Sequence, residues 1–362
     1  MGSAPRVTAL IDTYNHERFI AEAIESVLAQ DFPASEMEIL VVDDGSTDRT
    51  PEIIRGYGDR VRHIRKENGG QASALNVGFA EARGEIVAML DGDDVWLPHK
   101  VRRIVEVFGQ HPETGMVVHP YQYWFSDVNR CSEDPAFIPL AGYLPDLPDA
   151  ILRFGGVGTC STAIRRDVAL RLLPLPERLE VFADSYFLGA AIFSAPVVCI
   201  KEYLTLYRHH GSNLTALGAA DLTRLRRSNE SFRGAMEETR RWLTENGFLP
   251  RKPSAAQLVE RMALVEQLQQ FALRRPGRLE FFGHLRRCHR LYSPLWSRAY
   301  RLFDAIKAGA GFVLGYRGYH AAQRLYRGSL SLPQLRKALL PAQPPEFGPT
   351  AAAGRSGSLE LP

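Results

Sequence analysis

The chain has 362 residues, enough for one large domain with an appendage or for two domains. With 45% hydrophobic and 23% charged residues, the composition is that of an ordinary soluble globular protein and excludes a disordered or low-complexity chain. The net charge of +3 hides a split: residues 1–215 carry 20 Lys and Arg against 30 Asp and Glu, a net of −10, and residues 216–362 carry 24 against 11, a net of +13.

Val7 to Ile11 reads as the first apolar strand, followed by a helical pattern from Phe19 to Gln30 with Ile20, Ala23, Ile24, Val27 and Leu28 at helical spacing. Ile39 to Val42 is a second strand, ending in Asp43-Asp44-Gly45-Ser46. Thr50-Pro51 reads as an N-cap with proline at the first helical position. Val61 to Arg65 is a weaker strand, Ala72 to Ala82 a helix, and Ile86 to Leu90 a strand again. Alternating helices and unbroken apolar strands predict an α/β fold, a Rossmann-like, mostly parallel sheet with helices on both faces.

Residues 116–215 are mixed and proline-rich, as in an α+β arrangement. From Leu222 to Lys337 the composition shifts to Arg, Leu, Ala and Gln with helical periodicity, broken near Pro250–Pro253 and Pro276-Gly277. Residues 341–362, rich in Pro, Gly, Ala and Ser, are expected to be a disordered tail. The expected organisation is one domain over 1–215, with halves 1–115 and 116–215, then a basic helical region over 216–340 and the tail.

Four scattered cysteines (Cys131, Cys160, Cys199 and Cys288) form no CxxC pair, so neither a disulfide framework nor a zinc site is expected. No signal peptide is read at the N-terminus, and no apolar run approaches the roughly 20 residues of a membrane span. The expected location is the cytoplasm.

Asp91-Gly92-Asp93-Asp94 follows the buried run Ile86 to Leu90. Carboxylates delivered by a strand to a loop suit a hard divalent cation, Mg²⁺ or Mn²⁺, which keeps positions free for water or substrate phosphates. An acidic turn solvated by water is the alternative. Asp12-Thr13-Tyr14-Asn15 and Asp43-Asp44 also lie just past strand ends, so three polar clusters are predicted to converge on the carboxyl edge of one sheet, where ligands of such folds gather.

These motifs resemble the inverting family 2 glycosyltransferases with the GT-A fold. The likeness rests on VTALIDTYN (Val7–Asn15), ILVVDDGSTD (Ile39–Asp48), NGGQASALNVG (Asn68–Gly78) with Arg83-Gly84-Glu85, MLDGDD (Met89–Asp94) and EYLTLYRHHGSNLT (Glu202–Thr215). Asp12 stands where family members often have proline, and Leu75 where an arginine commonly precedes the Asn-x-Gly element.

The resemblance implies transfer from a nucleotide sugar, with Mn²⁺ or Mg²⁺ as cofactor. Asp93 would hold the metal and His210 would complete its shell, while Asp91 and Gly92 would contact the ribose. Asp44 would read the base, favouring uracil, and Tyr14 would stack on it. Thr13, Asn15 and Glu17 would lie nearby, with Gly70 and Gln71 against the ribose or diphosphate. Asp184 would be the general base, with Glu180 as runner-up. Asp43 is expected to brace its turn, Asp94 to cap a helix or join the site, and His209 to be structural. Trp96 and Tyr186 divide between sugar stacking and core packing.

The basic second half reads first as solvated helix faces and second as peripheral docking on an anionic membrane, which would suit a lipid-linked acceptor. No motif for nucleic acid accompanies the charge. The rivals to a transferase are a nucleotidyltransferase, which would need a phosphate loop absent from Thr13–Arg18, and a catalytically silent nucleotide-sugar-binding subunit.

Overall fold

The computed structural model describes residues 5–126, 130–132, 142–144, 158–210, 213, 222–274, 276–292 and 298–326. The strands are β1 (Val7–Thr13), β2 (Met37–Asp43), β3 (Arg62–Arg65), β4 (Ile86–Asp91), β5 (Val95–Trp96), β6 (Met116–Val118), β7 (Gln122–Phe125), β8 (Arg130–Ser132), β9 (Gly142–Leu144), β10 (Thr162–Arg165), β11 (Val197–Cys199) and β12 (Thr205–His209). An eight-stranded sheet runs in the order β3-β2-β1-β4-β10-β6-β11-β9, and a second sheet of four in the order β5-β12-β7-β8.

The parallel block β3-β2-β1-β4 holds the apolar runs of the sequence. Strands β10 and β9 enter antiparallel. Along β1 the side chains alternate: Val7, Ala9 and Ile11 enter one core and Leu10 the other.

The face of Ile11 is covered by α1 (Ile20–Leu28), α2 (Thr50–Arg55) and α4 (Lys100–Gln110). Helix α1 buries Ile20, Ile24 and Val27 on one stripe, each worth roughly 1.5–3 kcal/mol of removal from water. The face of Leu10 is covered by α3 (Gly70–Glu81), α5 (Arg166–Arg171) and α6 (Ala183–Ser194). Helix α3 approaches so closely that a Cβ on Gly78 would lie 2.6 Å from Leu10 Cδ1.

The basic region forms α7 (Leu222–Glu245), α8 (Pro253–Leu273), α9 (Arg278–Tyr292) and α10 (Arg298–Tyr326). The boundary expected at 215/216 falls between β12 and α7. Even so, Phe232, Ala235 and Leu243 of α7 and Leu258 and Met262 of α8 join the core over Leu10. Helices α7 and α8 therefore complete the α/β domain, and the end of α8 joins α9 and α10 in a separate small core around Phe271, Phe281, Leu285 and Tyr319.

All four cysteines are free. Among the described residues, no helix is long and apolar enough to cross a membrane. The tail expected over 341–362 lies outside the described residues.

Candidate active site

Strands β1, β2 and β4 end side by side, and register pairs Asp12 with Asp91 and Thr13 with Asp43. The three predicted clusters therefore do meet on one edge. The segment after β4 is anchored by the second sheet: β5 pairs antiparallel with β12 (Thr205 with Trp96, Leu206 with Val95). This pairing brings a segment more than a hundred residues later in the chain back over the Asp91–Asp94 turn.

Asp93 is the meeting point. Its Oδ2 lies 3.0 Å from His210 Nε2, 3.4 Å from Asn213 Nδ2 and 4.0 Å from His16 Nε2. The Arg208 Nε–H donates to the Asp93 carbonyl (2.7 Å), and its Nη2 donates to Glu22 (2.6 Å). The Arg208 backbone N–H donates to Asp94 Oδ1 (2.8 Å). Asn213 closes the turn by accepting from the His210 N–H (2.6 Å) and donating to the Arg208 carbonyl (2.9 Å). Burial works against an ionised Asp93, but the hydrogen bond to His210 and the charges of His16 and His210 hold it below the usual carboxylate range.

Around it lies a crowd of acids. Burial, then Asp12, pushes Asp91 well up. Burial, with charge from Asp93, Asp184 and Asp44, lifts Asp12 to about 7. Asp12 Oδ1 is sealed from solvent with no hydrogen-bond partner. Such a concentration of like charge, held by a carboxylate and an imidazole in contact, suits a divalent cation at Asp93 and His210.

Asp91, Asp94 and Cys160 also approach one another within 4.8 Å. The buried Lys100 sits beside that triad. Lys100 Nζ donates to the Cys160 carbonyl (2.6 Å) and to Thr205 Oγ1 (3.1 Å) and lies 4.3 Å from the Trp96 ring centre. Burial lowers Lys100 to about 7, opposed by the charges of Asp94 and Asp91.

Tyr14, past the end of β1, is exposed at the edge. Thr13 Oγ1 contacts His16 Nδ1 (3.1 Å), and a Cβ on Gly92 would fall 2.5 Å from that hydroxyl. Asn15, at φ 57°, and Glu17 use their side-chain oxygens on the next loop, accepting from the Thr47 N–H (2.8 Å) and the Arg49 N–H (3.0 Å). Asp43 accepts from the Ser46 N–H (2.9 Å), which braces its turn. Asp44 is buried and accepts from Lys66 Nζ (2.7 Å), the Gly69 N–H (3.0 Å) and the Gly70 N–H (2.7 Å).

Gly70 and Gln71 join the donor half to the acceptor half. The Gln71 N–H donates to the Glu180 carbonyl (2.9 Å), and Gln71 Oε1 accepts from the Ala183 N–H (3.0 Å) at the start of α6. Helix α6 carries Asp184 in its first turn, where burial raises the carboxyl and the acid's charge reaches Asp12 and Asp91. Asp184 also borders a cavity of about 200 Å³ with Leu188, Phe232, Met262 and Arg261. Glu180 is instead paired with Arg227.

Trp96 and Tyr186, divided beforehand between stacking and packing, are 2% and 5% exposed and belong to the two cores. His209 is exposed against Phe125. The sequence reading missed His16, Asn213, Lys66 and Lys100; His16 could have been found, since it stands beside Asn15 in a turn already singled out.

Strand order, helices on both faces and carboxylates at the carboxyl edge define a GT-A fold. Residues 8–169 match the model of Glycosyl transferase family 2, so this segment of the chain is a glycosyltransferase family 2 domain. It is 37% identical over 217 residues to the uncharacterized glycosyltransferase alr2836 of Nostoc sp., covering 58% of this chain and 66% of the relative. It is 31% identical over 215 residues to the uncharacterized protein Rv1520 of Mycobacterium tuberculosis, covering 56% and 58%. The chain thus spans less than two thirds of either relative's length. A crystal structure of Staphylococcus aureus TarS 1-349 in complex with UDP-GlcNAc aligns over 90% of this chain and 93% of that one, with a TM-score of 0.51 and 19% identity.

Proposed function

We propose that the chain is a metal-dependent, inverting glycosyltransferase that takes a sugar from a UDP-sugar. The acceptor is a saccharide or lipid-linked hydroxyl in the assembly of a surface glycan, met at the inner face of a membrane. The observation that supports the reading is the cluster of acids at the carboxyl edge, where the charges of Asp93 and Asp184 both reach Asp91, with His210 against Asp93.

Asp93 and His210 would hold the ion. A bound Mn²⁺ or Mg²⁺ supplies Lewis-acid stabilisation of the charge that grows on the leaving diphosphate. Asp184 takes the proton from the acceptor hydroxyl as the new C–O bond forms at the anomeric carbon. The old bond to the phosphate breaks on the opposite face, and the nucleoside diphosphate leaves. Burial raises the Asp184 carboxyl toward neutrality, which makes it a stronger base than a solvated aspartate. Tyr14 and the Asp44 loop form the nucleotide's side of the cleft.

The test is calorimetric titration of UDP, GDP and dTDP, with Mn²⁺ and with chelator, into the wild-type chain and Asp93→Ala. UDP is expected to bind only with metal, and the variant to lose at least about a hundredfold in affinity. Preference for GDP or dTDP would redirect the donor. No binding of any of the three would overturn the nucleotide-sugar reading.

A further inference from the structure

Among the described residues six large apolar side chains are exposed, and their placement is uneven. Tyr14 belongs to the donor edge. The other five, Leu279 (81%), Phe282 (36%), Ile306 (60%), Phe312 (49%) and Val313 (62%), all lie on α9 and α10.

They form one surface. Ile306 and Val313, seven residues apart, share one side of α10, and Phe312, about a third of a turn round from Ile306, meets the Phe282 ring of α9 at 5.3 Å between centres. Packing between the helices does not need them. The inner side of the pair is already filled by Phe271, Phe281, Leu285 and Tyr319, with Ala308 and Tyr316 against them. Gly315, at φ 69°, breaks α10 just after Val313. That bend turns Tyr316 and Tyr319 in against Phe281, while Phe312 and Val313 stay outside.

Glu280, the acid of α9, is taken up by Arg274, so among the described residues the charge left unpaired beside this surface is positive. Arg278 and Arg286 stand one turn either side of Phe282 on α9, both exposed, and neither has an ion-pair partner among the described residues. The other exposed arginines towards the end of α9 have partners on α8: Arg290 pairs with Glu260 (3.1 Å) and Arg287 with Gln267.

From this juxtaposition we infer that the α9–α10 face is a docking surface for an anionic phospholipid membrane. Phe282, Ile306, Phe312 and Val313 enter the headgroup region, and Arg278 and Arg286 bind lipid phosphates. The inference deepens the membrane-side setting proposed above and rests on it for its purpose. Charge decides between this occupant and a second copy of the chain. A two-fold contact through the same face would set guanidinium groups against each other, whereas an anionic surface neutralises them. Aromatic and aliphatic side chains interleaved with arginine on a helix lying in the interface plane are the chemistry of peripheral anchoring.

The experiment is sedimentation of the full chain with vesicles of phosphatidylcholine, with and without phosphatidylglycerol, alongside UDP–Mn²⁺ binding by the same preparations. The wild type is expected to pellet with the phosphatidylglycerol vesicles and to be released by salt. Arg278→Gln and Arg286→Gln should each lower that binding roughly five-fold. Phe312→Ser should lower it with the charge intact, and Ile306→Ser serves as a second variant should the first fold poorly.

Equal binding to pure phosphatidylcholine, or binding indifferent to all four substitutions, overturns the inference. So does a dimer in solution that Phe312→Ser dissolves. A wild type that binds UDP–Mn²⁺ but no vesicle sinks the docking surface alone, and one that binds vesicles but no UDP–Mn²⁺ sinks the transferase reading alone.

Discussion

At the carboxyl edge of the sheet, charged groups are packed together and almost all are engaged. Asp93 is held by His210, Arg208 and Asn213, Asp44 by Lys66 and two amides, and Asp94 by the Arg208 amide. On the outer face of α9 and α10 the opposite holds, with guanidinium groups and large apolar side chains left facing solvent. Buried charge is tolerated in the first region because Asp44, Asp93 and Asp94 each have partners within hydrogen-bond reach. The second region uses no internal partners, so its energy is available to something outside the molecule. Rigidity belongs to the edge and adhesion to the helices, and substitutions in the two places should fail differently.

The largest effect is expected where the edge has a task beyond holding itself together. Asp184→Asn keeps the shape and removes the base, so turnover should fall by about 10²–10⁴ while UDP–Mn²⁺ affinity stays within about twofold. Steady-state kinetics with a calorimetric control decides it, and unchanged turnover would free Asp184 for a purely structural place. Because burial raises this carboxyl, the acid limb of the wild-type rate profile should lie above the ordinary aspartate range.

Asp12 is the exception to the rule of engaged partners, and it tests the comparison from the other side. Its folded value of about 7 lies above the unfolded 3.8, so the folded state holds the proton more tightly and stability falls as pH rises between those values. Asp12→Asn removes that loss. The variant should be more stable than wild type by up to about 4 kcal/mol near pH 8 and by nothing near pH 4, as followed by thermal melting across pH. A constant difference at all pH values would mean that the carboxyl is not the source. Added Mn²⁺ should narrow the gap, since a cation at Asp93 relieves the same repulsion.

Much of the edge was legible beforehand because unbroken apolar runs such as Ile39 to Val42 and Ile86 to Leu90 end abruptly in acids, and a parallel sheet must align such ends. Asp93 and His210 were paired only through the family resemblance. The element that joins them, the two-residue strand β5 on β12, is too short to leave a periodic signal. Lys100 was equally hidden: a lysine opening an amphipathic helix reads as solvated until Trp96, Cys160 and Thr205 are seen around it. Trp96 and Tyr186 show the converse, since an aromatic ring next to a motif looks the same in sequence whether it faces sugar or core. The outer face of α10 could not be read either, because its inner face is set by Phe281 of α9, which meets Tyr316 and Tyr319, rather than by a periodic stripe of its own.

Two smaller effects complete the contrast. Gly70 has φ 82°, and a Cβ there would fall 2.4 Å from Glu180 Cα, at the junction that carries Asp184. Gly70→Ala should cost about 1–3 kcal/mol in denaturant unfolding and should slow turnover more than it weakens UDP binding, because the displaced segment is the acceptor side.

Arg286→Gln should change stability by no more than about 0.5 kcal/mol, since an exposed guanidinium without an ion-pair partner contributes little to the fold. A measured loss of about 2 kcal/mol would mean that the arginine is working inside the molecule, and the outer helices would then follow the same rule as the sheet edge. A null result, together with weakened vesicle binding, would separate the two regions on one side chain: a charge that does nothing for the fold and is kept for a surface.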